Sequence, residues 1–262
     1  MMRFAFLGSG SEGNSLLIEA GEGASVTRVL LDCGFGIKET ARRLERLGVS
    51  PTQLDAVLVT HEHGDHVGSA YAFAARHKLP VHTSHGTWLA TSHMRGADQA
   101  DVRVCCADHV FSVGALQIHP YTVPHDAREP LQFVLTDGDA RLGVLTDAGM
   151  ETPYVTARLA GVHALVLECN HDRDMLANSV YPWSLKRRIG GDFGHLANDI
   201  AAGILSQVTH AGLSRVVAAH LSKQNNTREL AAGALATVLG VLPDEILIAD
   251  QEEGLGWQPV RA

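Results

Sequence analysis

"VLVTHEHGDHVGS", residues 57–69, puts five ionisable side chains into six positions behind an apolar run: His61, Glu62, His63, Asp65 and His66, with only Gly64 among them. The run in front, "DAVLVT", reads as a short buried strand. Two histidines two apart do not share a helix face, yet both reach one point from a turn at a strand end. The metalloprotease pattern H-E-x-x-H is not met, because Asp65 stands where the second His belongs. What remains is H-x-H-x-D-H, which offers His61 and His63 to one cation and Asp65 with His66 to a second. Two ions about 3.5–4 Å apart need more ligands than one loop supplies, so the others must come from the ends of other strands.

Four such positions stand out. "YTVPHDA" places His125 just past a strand pattern, "GVLTDAG" places Asp147 where a carboxylate could bridge two cations, "VVAAHLS" places His220, and "RVLLDCG" ends in Asp32. Each follows apolar β-formers, the location of site residues carried on rigid strands. Taken singly, each His reads more often as a surface or satisfied core residue, and Asp32 and Asp147 more often as turn residues beside Gly34 and Gly149. The six-residue cluster turns them into candidates, with Asp32 expected to orient a ligand His and His119 the nearest rival to His125.

Composition bounds the rest. Of 262 residues, 45% are hydrophobic and 19% charged, enough to bury a sizeable core in one domain, 1–262. No apolar stretch approaches the roughly 20 residues that cross a bilayer, and the start is too short in apolar residues for an export signal. A soluble, cytoplasmic protein without a membrane partner is expected. The four cysteines have no C-x-x-C spacing, so a bound metal falls to the 15 histidines and the carboxylates. Those ligands suit Zn²⁺, Mn²⁺ and Fe²⁺ alike. The net charge of −8 argues against a general nucleic-acid coat while leaving room for a local basic patch.

Strand patterns fill the first half and 102–146, with helical patterns at 36–48 and 70–79. Helices at 151–160, 195–211 and 226–239 then alternate with strands, and Leu196, Ile200, Ile204 and Val208 form one apolar stripe. Two β-rich halves, each completed by helices, imply two sheets packed face to face with helices outside.

The early "LLDCG", then "THEHGDH", His125, Asp147 and His220, in this order, resemble the metallo-β-lactamase fold superfamily. The resemblance implies an α/β fold, an αββα sandwich of two mixed sheets flanked by helices, with the site at one edge. It implies His61, His63 and His125 on one ion, Asp65, His66 and His220 on the other, Asp147 between them, and Asp32 as a buttress. Flavin-associated di-iron members usually carry Glu at the position of His63, which disfavours an oxygen-reducing centre.

"GHLANDIAAGIL" resembles the segment of ribonuclease Z and PhnP-type phosphodiesterases whose His sits over the scissile phosphate, and Glu168 in "LEC" matches its supporting Glu. With "GSGSEGNS", "LECNHD" and "HLSKQNN", nearly the whole chain looks like the YycJ/WalJ group of bacterial metallo-hydrolases. That resemblance implies a dinuclear phosphodiesterase, a 5′→3′ exonuclease acting on a DNA end, with a metal-bridging hydroxide as nucleophile. Asp65, Glu168 and His195 would be its catalytic residues and His195 its general acid.

Substrate contacts are open. Ser11 and Asn14 lie in a glycine-rich turn that reads either as a phosphate cradle or as an ordinary hairpin turn. Ser222 and Asn225 follow His220 and are candidates to line the cleft. Lys186, Arg187 and Arg188 read either as a backbone-binding patch or as a solvated helix face. Two other functions compete: a small-molecule hydrolase of a cyclic phosphodiester, thioester or lactone, and a non-catalytic metal-binding regulator.

Overall fold

The computed structural model of the protein describes residues 1–23 and 25–262. Its strands are β1 Met2–Gly8, β2 Ser15–Ala20, β3 Thr27–Leu31, β4 Ala56–Leu58, β5 Pro80–Thr83, β6 Asp101–Val104, β7 Phe111–Val113, β8 Leu116–Thr122, β9 Leu131–Thr136, β10 Arg141–Leu145, β11 Ala164–Glu168, β12 Arg215–Ala219, β13 Leu247–Ile248 and β14 Leu255–Val260. Its helices are α1 Ile37–Arg46, α2 Gly64–Val67, α3 Ala70–His77, α4 His85–Thr91, α5 Pro153–Leu159, α6 Arg173–Asn178, α7 Trp183–Ile189, α8 Asn198–Val208 and α9 Arg228–Leu239.

The strands form two seven-stranded sheets, in the orders β14-β1-β2-β3-β4-β5-β6 and β13-β12-β11-β10-β9-β8-β7. Each is mixed. The pairs β14-β1, β1-β2 and β2-β3 are antiparallel and β3-β4, β4-β5 and β5-β6 parallel. The second sheet repeats the scheme, antiparallel from β7 to β10 and parallel from β10 to β13.

The strands are apolar on both faces because both faces are covered. Alternation then decides which layer each side chain joins. Phe4, Ile18, Val29, Leu58, Val144, Val166 and Val217 fill the space between the sheets. Leu17, Leu30 and Val57, one residue out of step, pack under α1 and α3 with Leu44, Phe73 and Ala74. Leu145, Leu165, Leu167 and Ala218 pack under α5, α8 and α9 with Leu159, Ile204 and Leu235. The expected αββα sandwich is the fold of the chain.

Boundaries differ from expectation in one place that matters. The helix expected over 195–211 is α8, Asn198–Val208, and its N-cap Ala197 has an extended backbone. Residue 197 instead bridges His171 as a short strand contact, so His195 and Leu196 lie on an extended approach to the helix. The C-terminal β14, which carries no clear alternation, pairs with β1 and closes the first sheet. No helix among the described residues is long and apolar enough to cross a membrane.

His82 on β5 is buried, its ring lies flat on Phe111 at a centroid distance of 4.6 Å, and its Nε2 has no partner. Burial, with Arg103 adding, lowers its pKa to about 4. A histidine whose folded pKa lies below its unfolded one destabilises as pH falls through the window between them, here from about 6.5 to about 4. The full loss is at most about 3 kcal/mol. Thermal melts should therefore show His82→Leu losing less stability than the wild type between pH 7 and pH 4.5; equal losses would contradict the assignment.

Candidate metal centre

β3, β4, β8, β10, β11 and β12 all run toward one edge of the sandwich, and the residues just beyond their ends meet there. Asp32 follows β3, His61 comes three residues after β4, and His125 three after β8. Asp147 comes two after β10, Glu168 ends β11, and His220 follows β12. Asp32, Asp147 and His220 have left-handed backbones, φ 60°, 52° and 56°. This conformation costs an L-residue roughly 1 kcal/mol or more, and it survives where surrounding contacts enforce it.

The loop from β4 enters α2 with His63 as its N-cap, so Asp65 and His66 occupy the first turn while His61 and His63 precede it. A neighbouring turn clamps this loop. Asn14 N–H donates to Asp65 O at 2.8 Å and Cys33 N–H to His66 O at 2.9 Å. Gly34 is needed for that approach, since a Cβ there would lie 1.9 Å from the Asp65 carbonyl oxygen.

Two donor sets result. Ring nitrogens of His61, His63 and His125 converge, as do donor atoms of Asp65, His66 and His220, and Asp147 lies against both, near His61 and His125 of the first and His66 and His220 of the second. His63 Nδ1 lies 3.2 Å from His125 Nε2. Asp65 Oδ2 lies 3.4 Å from both His66 Nε2 and His220 Nε2, and His66 Nε2 lies 3.1 Å from Asp147 Oδ2. Ligands about 2.0–2.2 Å from one tetrahedral ion stand about 3.3–3.5 Å apart, which these spacings match closely.

The other ring nitrogens are engaged in the way metal-ligand histidines usually are. His66 Nδ1 meets Asp32 Oδ2 at 2.8 Å, His125 Nδ1 meets Gly194 O at 2.9 Å, and His220 Nδ1 meets Glu168 Oε1 at 2.9 Å. His61 Nδ1 lies 2.9 Å from the Thr60 hydroxyl, which itself reaches Asp32. With Nδ1–H donating, each Nε2 presents a lone pair inward. His61 Nε2 and Asp147 Oδ2 are buried without a hydrogen bond, a cost expected of groups that serve a cation.

Electrostatics favour the same occupant. Burial opposes charge on His61, Asp65, His66 and His220 and is the largest single influence on each. For His220 it is outweighed by Asp147, Asp65 and Glu168, which push its pKa up to about 10. His66 is likewise driven well above the ordinary value against its burial, by Asp147, Asp32 and Asp65. His61, ringed by other imidazoles, is held well below it by burial and those neighbours.

Glu168 is wholly buried. Its Oε1 accepts from His195 Nδ1 and His220 Nδ1, both at 2.9 Å, and its Oε2 from the backbone N–H groups of Ala148 and Leu196, both at 3.1 Å. His195 lines the cleft above, its Nδ1 3.5 Å from Asp147 Oδ1. Burial lowers the pKa of His195, but the charge and hydrogen bond of Glu168, with Asp147, raise it above the ordinary value.

The cleft has a volume of about 420 Å³, with His63, Asp65, Asp147 and His220 on its floor and Tyr181, with Leu185 and Ile189 from α7, on its wall. Of the possible substrate contacts, Ser11 lines this cleft. Asn14 is buried, its amide donating to Gly10 O and lying 3.2 Å from Asp65 Oδ2 and 3.1 Å from His66 Nε2, so it braces the metal loop. Asn225 is fully buried, and Ser222 is buried beside it and lines a neighbouring groove. His119 sits mid-strand on β8 opposite Val134, away from the site.

Two participants, Thr60 and Asp126, were not singled out in the sequence, and two others, Glu168 and Arg188, do more than was expected of them. Thr60 links Asp32 to His61, and its only signal is its place in front of the cluster. Glu168 also holds His220, not His195 alone. Asp126, next to His125, accepts from Arg188 Nε at 2.5 Å, which ties α7 to the His125 loop. Of the basic triplet, Arg188 alone lines the cleft, while Lys186 caps Ala177 O. Glu62 Oε1 accepts the Arg128 N–H at 2.7 Å and joins none of the donor sets.

Asp32→Ala should weaken metal binding about 10–100-fold by freeing His66 and His61 to turn. Competition with a chelator measures this; retained wild-type affinity would remove Asp32 from its supporting place.

Known proteins share this arrangement. Residues 27–221 match the family model described as "Beta-lactamase superfamily domain". The chain is 33% identical over 239 residues to the exodeoxyribonuclease YycJ of Bacillus anthracis, covering 91% of this chain and 89% of that one. To the exodeoxyribonuclease WalJ of Streptococcus pneumoniae it is 31% identical over 239 residues, covering 87% and 85%. In fold it is similar to the metallo-β-lactamase fold protein YhfI from Bacillus subtilis, with a TM-score of 0.76 at 18% identity over 99% of this chain and 100% of that one. The chain belongs to the β-lactamase superfamily and, within it, to the YycJ/WalJ group of metallo-hydrolases.

Proposed function

We propose that residues 1–262 form one hydrolase domain, a dinuclear metal-dependent phosphodiesterase that trims DNA from a 5′ end. The observation that carries the reading is His195, held by the fully buried Glu168 over the same cleft as two convergent donor sets. His61, His63 and His125 would hold one ion and Asp65, His66 and His220 the other, with Asp147 available to both. Two divalent ions so held polarise a phosphate and make water a stronger nucleophile near neutral pH.

The chain's own groups supply the rest. Asp65, besides binding metal, accepts a hydrogen bond from the attacking water. His195, protonated beside Glu168, gives its proton to the departing oxygen, a contribution worth about 10²–10⁴-fold in rate. Glu168 fixes which ring nitrogen of His195 faces Glu168 and which faces the cleft. The names of the YycJ and WalJ relatives support DNA as the substrate.

A small phosphodiester is the second reading, favoured by the cleft volume of about 420 Å³ and the net charge of −8. One experiment separates the two. Mn²⁺- or Zn²⁺-loaded protein is offered 5′- and 3′-end-labelled DNA, single- and double-stranded, beside bis(p-nitrophenyl) phosphate. Release of labelled mononucleotide first from the 5′ end supports the proposal, and cleavage of the ester alone rejects it. Asp65→Ala should abolish both metal loading and activity. His195→Ala should lower kcat about 100-fold or more with metal content intact; lost metal would mean that His195 is itself a ligand.

A further inference from the structure

A second groove, of about 290 Å³, adjoins the metal cleft, and the two share one lining residue, Ser11. From Ser11 it runs past Ser9 and Ser222 to Asn226 and the first residues of α9, with Lys223 and Arg228 at its rim. We propose that this groove carries the strand that leads away from the scissile phosphate. Ser11 would hold the next phosphate, and Lys223 and Arg228 would meet those beyond. The inference rests on the nuclease reading and extends it to the path of the substrate.

Ser11 is suited to this place. It is exposed in the turn between β1 and β2, and neither its N–H nor its hydroxyl makes a hydrogen bond among the described residues. The turn around it is fixed, because Ser9 Oγ and Gly10 N–H both donate to Asn14 Oδ1, and Glu12 N–H donates to Gln251 Oε1. The free donors of Ser11 are thus held still at the mouth of both cavities, where a phosphate oxygen can accept from them. Ser9 ties the turn to the metal site by accepting the His220 N–H at 2.9 Å.

The rim cations are available. Lys223 pairs with Glu12 at 2.8 Å and Arg228 with Asp250 at 3.0 Å, both exposed pairs of the kind that contribute little to stability. Asp250 loses little when Arg228 turns to a phosphate, since its Oδ1 still accepts the N–H groups of Glu252 and Glu253. α7 contributes Leu185, Arg188 and Ile189 to the cleft, and at Ser11 the cleft meets the groove, into which a chain too long for the cleft can continue.

The test uses metal-loaded protein, a long single-stranded DNA and a dinucleotide too short to enter the groove. In K223E/R228E the ratio of KM for the long strand to KM for the dinucleotide should rise about tenfold, and the salt dependence of log kcat/KM should flatten by about 1.4, the slope of two phosphate contacts on a single strand. K223Q/R228Q should shift both in the same direction by less, which covers a failure of the charge-reversed variant to fold. An unchanged ratio and salt slope in a folded, metal-loaded variant would overturn the groove assignment alone. Failure of the wild type to cleave DNA at all would overturn the nuclease reading and the groove with it.

Discussion

Asp32, Asp65, Asp147 and Glu168 are gathered around one set of histidines at the seam of two apolar sheets, and this concentration of negative charge is what the rest of the site answers to. Carboxylates in a dry pocket are costly unless paired. Here Asp32 is paired with His66 and Thr60, and Glu168 with two imidazoles and two backbone N–H groups. Asp147 is different: its Oδ2 is buried with no hydrogen bond. Divalent cations between the two histidine sets would complete the compensation.

Bringing site residues from six strands to one point demands sharp exits from the sheets. The left-handed turns at Asp32, Asp147 and His220 provide them. In each case an apolar strand, buried on both faces, ends in a polar residue that turns back over the edge. The strain is borne by the two sheets, whose inner side chains interlock from Phe4 to Val217 and leave the strand ends little freedom. Catalytic geometry and core packing are therefore one problem in this fold, and a cavity under β10 or β12 would be felt at Asp147 or His220.

Much of this was legible in residue order, for a physical reason. Each ligand other than those of the 61–66 cluster follows its own run of β-formers, so a local pattern marks a three-dimensional position. The sandwich follows from strands that are apolar on both faces alternating with amphipathic helices. What could not be read was anything resting on contacts between distant segments. Asn14 looked like a substrate contact because its turn is polar and glycine-rich, but it meets Asp65 and His66, fifty residues on. The start of α8 was misjudged because Leu196 continues the apolar stripe of that helix, while its N–H is drawn away to Glu168. Asp126 and Arg188 are ordinary charged residues in the sequence, and only the fold joins them across the cleft.

Glu168 shows how the pocket divides its labour. Each carboxylate oxygen has two lone pairs, and on Glu168 all four sites are taken, two by imidazole N–H groups and two by backbone N–H groups. A carboxylate so saturated is held charged, and its pKa is driven down by His195 and His220 despite the burial that would raise it. It cannot take a proton without breaking one of those bonds. On the proposed reading the mobile proton then sits on His195, which faces the cleft, while His220, anchored by the same oxygen, is kept oriented toward Asp65. One buried anion thus orients two imidazoles at once, and a change at either ring is transmitted to the other through a single oxygen.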